Sequence, residues 1–155
     1  MKRAIEVLIL IVIISLSACS GISDIEIREV NHINTKLLNT TSVELEFECV
    51  INNPTSRRII MEDAIGVLKK SNIVFARVNL LEVDTVAANA VSSNKIRLKV
   101  NIEDPLSLLS MGMSVSSWNM SEFKVDVRST IRREGRTKYV YKKKDIPLES
   151  LINKL

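Results

Sequence analysis

The segment Val43-Glu44-Leu45-Glu46-Phe47-Glu48-Cys49-Val50-Ile51 alternates apolar and acidic side chains as far as Cys49 and ends in Val50-Ile51. A period of two puts Val43, Leu45, Phe47, Cys49 and Ile51 on one side of an extended chain and three glutamates on the other, so it reads as a half-buried strand. Asn52-Asn53-Pro54-Thr55 closes it, because Asn tolerates left-handed φ and Pro fixes its own. The pattern returns at Asn94–Ile102, with Ile96, Leu98, Val100 and Ile102 inward and Lys95, Arg97 and Lys99 outward. A third copy sets Phe123, Val125, Val127 and Ile131 against Lys124, Asp126 and Arg128. One apolar face and one charged face per strand belong to antiparallel sheets with a solvated side.

Weaker strands fill the gaps. Ile59–Leu68 and Ile73–Leu80 flank Lys69-Lys70-Ser71-Asn72 and read as a hairpin. Glu134-Gly135 separates the third alternating strand from a further one over Thr137–Lys142, another hairpin. Ser23–Val30 and Leu81–Val86 complete seven to eight strands. Asp104 is a natural N-cap, Pro105 suits the first helical position and Gly112 can end the turn. Leu148, Leu151, Ile152 and Leu155 stand at helical spacing within 147–155. The expected fold is all-β, an antiparallel β-sandwich.

Ahead of this domain the chain changes character. Lys2 and Arg3 precede the apolar run Val7–Ile14, which gives way to Ser15-Leu16-Ser17-Ala18-Cys19, the layout of an export signal. The run is short for a membrane span of roughly 20 residues, although a retained anchor reaching past Glu6 is the alternative. Leu16, Ser17 and Ala18 before Cys19 resemble the lipobox of bacterial lipoprotein precursors. That resemblance implies diacylglycerol on the Cys19 sulfur, cleavage before Cys19 and acylation of the freed amine. Each buried CH₂ contributes about 0.8 kcal/mol, so two or three chains hold firmly where one holds marginally. Ser20 after the cysteine implies, by the same resemblance, the outer membrane of a two-membrane cell.

The order of features in the domain also resembles a known family. An alternating strand ends in Asn53-Pro54-Thr55, a strand pair follows across Lys70-Ser71-Asn72, and Lys95–Ile102 leads into Asp104-Pro105-Leu106-Ser107-Leu108-Leu109. This is similar to the LEA-2 (WHy-type, late embryogenesis abundant) family, over roughly Ile25 to Leu148. Ser71-Asn72 stands where the family carries a glycine. The resemblance implies an immunoglobulin- or fibronectin-III-like sandwich, protection against stress, and no catalytic residues. The expected organisation is a signal peptide and its helix at 1–18, a lipidated tether at 19–24 and the sandwich at 25–155.

Composition narrows the chemistry. Hydrophobic residues make up 46% of the chain, a figure raised by the first eighteen positions. Removing those positions takes away Lys2, Arg3 and Glu6 and leaves a net charge of about +3, weak for nucleic-acid binding without a concentrated patch. One histidine, His32, gives little basis for a histidine metal cage or a Ser-His-Asp triad, and four glycines form no phosphate loop. No catalytic residue, metal or cofactor is expected beyond the acyl chains on Cys19. With Cys19 lipidated, Cys49 is a lone thiol in an oxidising compartment, and its inward register makes it an inert core residue.

Two surface features are candidates for binding. Arg132, Arg133, Arg136 and Lys138, then Lys142, Lys143 and Lys144, surround the last hairpin. Near a bilayer they would attract anionic headgroups, and on a strand edge they would discourage aggregation. Met111, Met113, Trp118 and Met120 form an adaptable apolar segment or a cap on the sandwich. The expected partners are the lipid bilayer, through Cys19, and an envelope protein. The expected role is a non-catalytic binding or protective module of the cell envelope. The alternative is a structural subunit using a strand edge or the Met/Trp segment.

Overall fold

Leu45, Phe47, Cys49 and Ile51 are at most 1% exposed, and they share β2 (Ser42–Asn53) with Glu44, Glu46 and Glu48 on its solvated face. The computed structural model describes residues 24–111 and 119–152. Around β2 stand β1 (Glu26–Asn39), β3 (Ile59–Lys70), β4 (Ile73–Val83), β5 (Ala90–Ile102), β6 (Phe123–Arg133) and β7 (Lys138–Pro147). All pairings are antiparallel and the order is β1-β2-β5-β4-β3-β6-β7, so β1 and β7 are the outer strands.

One face of this sheet is buried along β2 to β6, and its side chains form a single apolar cluster. The helices α1 (Pro105–Met111) and α2 (Leu148–Ile152) have seven and five residues, too few to cover that face. The sheet therefore covers itself, folding over into a β-sandwich. β4 is the shared strand. Ile73–Asn79 pairs with β3, while Ala76–Val83 pairs with β5. Phe75 of β4 and Phe123 of β6 meet edge to face, with ring centroids 5.6 Å apart, inside the layer so formed.

The three alternating segments are β2, β5 and β6, with the faces that alternation assigns. At the β3–β4 hairpin Ser71 and Asn72 both have positive φ, 48° and 68°, and Lys70 pairs with Ile73. That is the primed two-residue turn, whose twist suits the flanking strands. Asp104 caps α1, its Oδ1 accepting the Ser107 N–H at 3.0 Å. Leu148, 1% exposed, seats α2 on the core.

Several expected boundaries move. The first strand covers Glu26–Asn39 rather than Ser23–Val30, because β2 offers a full-length partner edge to a segment with no alternation of its own. Leu81–Val86 is not a separate strand: β4 runs on to Val83 through a register shift at Leu80/Glu82, and Val86 forms an isolated bridge with Ile59. The count is seven. The signal helix at 1–18, Cys19 and the lipobox residues Leu16, Ser17 and Ala18 lie outside the described residues, as do Gly112, Met113, Trp118 and 153–155.

The strands set two ends. Glu26 pairs with Asn52, Asn53 with Ala90 and Ile59 with Arg133, which gathers the start of β1, the β2–β3 loop and the β6–β7 turn at one end. The Asn39–Ser42 turn, Ser71-Asn72 and α1 occupy the other. The twelve residues of β2 place these ends about 36 Å apart.

Candidate functional site

The basic run at the last hairpin is one stretch of sequence but two groups in space. Arg132 is the penultimate residue of β6, on the outward face, and its Nε donates to Glu62 Oε1 at 2.8 Å. Lys138, directly across the sheet, lies 2.6 Å from Glu62 Oε2. Lys138 and then Arg132 hold the Glu62 carboxyl below the usual carboxylate range. These two cations thus share one carboxylate within the fold.

The turn itself is Arg133-Glu134-Gly135-Arg136, closed by Arg136 N–H donating to the Arg133 carbonyl at 3.0 Å. Gly135 takes φ +70°, which only glycine adopts without cost. Two arginines from the β2–β3 loop complete this tip. Arg57 Nη1 donates to the Glu134 carbonyl at 2.8 Å, and Arg58 grips the Glu134 carboxylate with Nε at 3.1 Å and Nη2 at 2.7 Å. Arg58 holds the Glu134 carboxyl below the usual carboxylate range.

That loop is fixed by Asn53, whose side chain is fully buried. Its Nδ2 donates to the carbonyls of Arg57 at 3.0 Å and Ala87 at 2.9 Å. Its Oδ1 accepts from Thr55 N at 3.1 Å and Thr55 Oγ1 at 2.6 Å, an Asx turn spanning Pro54. One amide therefore ties together three passages of chain and presents Arg57 and Arg58 beside Arg133 and Arg136.

Lys142, Lys143 and Lys144 form the second group, about 20 Å along β7 from Arg136. Lys142 stands directly opposite Arg128, a like-charge pair. Lys144 and Asp145 together oppose Asp126 in a bulge, where Asp145 has φ 55° and its N–H donates to Asp126 Oδ1 at 2.8 Å. Lys69 Nζ bridges Asp126 at 2.9 Å and Asp145 at 2.7 Å. Burial pushes the Asp126 carboxyl up, but Lys69 and the Asp145 N–H outweigh it and leave it lowered. Beside the bulge, Ile65 and Val67 floor a shallow groove of about 170 Å³ rimmed by Arg128 and the three lysines. β7 is an outer strand, and a bulge with exposed lysines is how such an edge is guarded against strand pairing.

The other features resolve simply. His32 is exposed, sits at a β1 bulge with φ 53°, and its Nδ1 lies 3.2 Å from Glu48 Oε2. Cys49 is a buried free thiol, and burial pushes it up to about 11. Met120 packs against the core, and Met111 ends α1. Among the described residues no group of histidine, cysteine or carboxylate side chains is arranged to hold a metal, and no helix is long and apolar enough to cross a membrane. Arg57, Arg58 and Arg128 are site residues that no local pattern flags, since their neighbours come from distant strands.

No protein-family model and no curated protein matches the chain. Solved structures do. A protein from Archaeoglobus fulgidus is 12% identical over 77% of this chain and 94% of its own, with a TM-score of 0.49. The yeast GGA1 GAE domain is 11% identical over 78% of this chain and 97% of its own, with a TM-score of 0.32.

Proposed function

We propose that this chain is a membrane-tethered, non-catalytic lipoprotein of the cell envelope, whose LEA-2-like sandwich binds or protects through its surface. The observation that carries the reading is positional. The signal-like segment closes on Leu16-Ser17-Ala18-Cys19, and the first strand begins at Glu26, so a short tether would join an acylated Cys19 directly to the sandwich. In a two-membrane cell, Ser20 favours the outer membrane. A palmitate analogue supplied to growing cells should label the wild type and not Cys19→Ser. Equal labelling of both would remove Cys19 as the acylated residue.

A structural role in an envelope complex is the second reading, favoured by β1. This outer strand exposes Ile33 (41%), Leu37 (70%) and Leu38 (41%), an unusual apolar content for an edge left open to other chains. A stoichiometric protein partner from gently solubilised membranes, lost with Leu37→Lys, would favour the subunit over the free-standing module.

A further inference from the structure

We infer that the sandwich stands on the bilayer by its Asn53 end, with the β6–β7 turn arginines against anionic headgroups and α1 pointing away. The inference rests on the reading that the segment before residue 24 is held in a membrane. Two independent observations carry it. The first is reach: from Cys19 to Glu26 is seven peptide units, at most about 25 Å of extended chain. Glu26 belongs to the same end as Asn52, Arg57 and Arg133, so the tether delivers this end to the surface. The other end lies about 36 Å further along β2.

The second observation is charge. The tethered end holds Arg28, Arg57, Arg58, Arg133 and Arg136 against Asp24, Glu26, Glu29 and Glu134, and Glu26 and Glu134 are already paired with Arg28 and Arg58. Arg133 and Arg136 have no carboxylate within ion-pair distance among the described residues. The far end is balanced, with Glu103, Asp104, Glu122 and Glu149 against Lys69, Lys70, Arg77 and Lys124. An anionic surface therefore attracts the first end more than the second within the Debye length of about 8 Å at physiological salt. Each arginine near such a surface favours the contact about five-fold. The Lys142–Lys144 group lies midway along the sheet and takes no part in an upright pose.

Full-length protein reconstituted into phosphatidylglycerol-containing vesicles tests this. A fluorophore is placed at Thr137→Cys, beside the turn, or at Leu109→Cys, in α1, with Cys49 shielded by burial. A headgroup nitroxide lipid should quench the Thr137 probe at least about five-fold more strongly than the Leu109 probe, given the length of the domain. Adding Arg133→Gln and Arg136→Gln should bring the two probes together, as should high salt. Replacing Lys142, Lys143 and Lys144 with Gln should leave the asymmetry intact. Equal quenching in the otherwise unchanged protein, or an asymmetry abolished by the lysine replacements alone, overturns the orientation. The mass of the same preparation separates this from the lipid reading. An unacylated Cys19 with the asymmetry preserved removes the lipid and keeps the orientation, because a retained apolar segment delivers the same end. An acylated Cys19 with equal quenching does the reverse.

Discussion

The guanidinium of Arg57 donates to the backbone carbonyl of Glu134 across 77 positions of sequence, at 2.8 Å, and so locks the β2–β3 loop beneath the β6–β7 turn. A Cβ built on Gly135 would lie 3.1 Å from the same Arg57 Nη1, so the turn has room for hydrogen and little more.

Two turn substitutions should therefore act in opposite directions. Gly135→Ala forces a left-handed alanine against Arg57 and should cost about 1–2 kcal/mol. Ser71→Gly relieves a left-handed serine in the β3–β4 turn and should stabilise by about 0.5–1 kcal/mol. Urea midpoints moving the same way for both would contradict the turn geometry.

Asn53 is the residue whose loss should hurt most for its size. Asn53→Ala strands the carbonyls of Arg57 and Ala87 and the N–H of Thr55, and should destabilise by about 2–4 kcal/mol. Asn53→Asp keeps the Thr55 contacts but cannot donate to the two carbonyls, so it should also be costly. Chemical denaturation of the two variants measures both. An Asn53→Ala midpoint within error of wild type would mean the corner is held by other contacts.

The core and the charged face should separate cleanly in β2. Phe47→Ala, or Val125→Ala in β6, opens a cavity beneath a fully buried side chain and should cost about 2–5 kcal/mol. Glu46 pairs with Lys95 at 3.0 Å on the solvated face, where such pairs contribute little. Glu46→Ala should thus change stability by under about 0.5 kcal/mol. Similar losses at Glu46 and Phe47 would place the register one residue out.

Acid should weaken the fold through its matched carboxylates. Glu44, Glu62, Asp104, Asp126 and Glu134 all have lowered values in the folded chain. Groups depressed on folding contribute stability that is present above their unfolded values, about 4, and is lost as pH falls through the folded ones. The urea midpoint should be flat from pH 7 to 5 and drop steadily below about pH 4, less steeply in Glu62→Gln. A midpoint constant to pH 3 would show that these pairs do not stabilise the native state.

Cys49 should report unfolding rather than redox state. Held neutral by burial up to about 11, it should resist a thiol-specific disulfide reagent at pH 8 and react once urea opens the core. Prompt reaction in native buffer would mean that β2 is not buried as described.

The sequence alone determined what depends on local period. Alternation fixed the buried faces of β2, β5 and β6, including the inward Cys49, because neighbouring side chains on a strand must point to opposite sides whatever lies beyond it. The capping of α1 by Asp104 and the turn at Ser71-Asn72 were legible for the same reason, since their partners lie within a few residues. The tertiary structure decided what depends on distant partners. β1 extends to Asn39 because β2 pairs with it, not because its own residues alternate. The basic run from Arg132 to Lys144 divides because Glu62, from β3, takes up Arg132 and Lys138, while Arg57 and Arg58 join Arg133 and Arg136 at the turn. Which charges are matched and which remain outward is set by strands that meet only after the sheet has folded over.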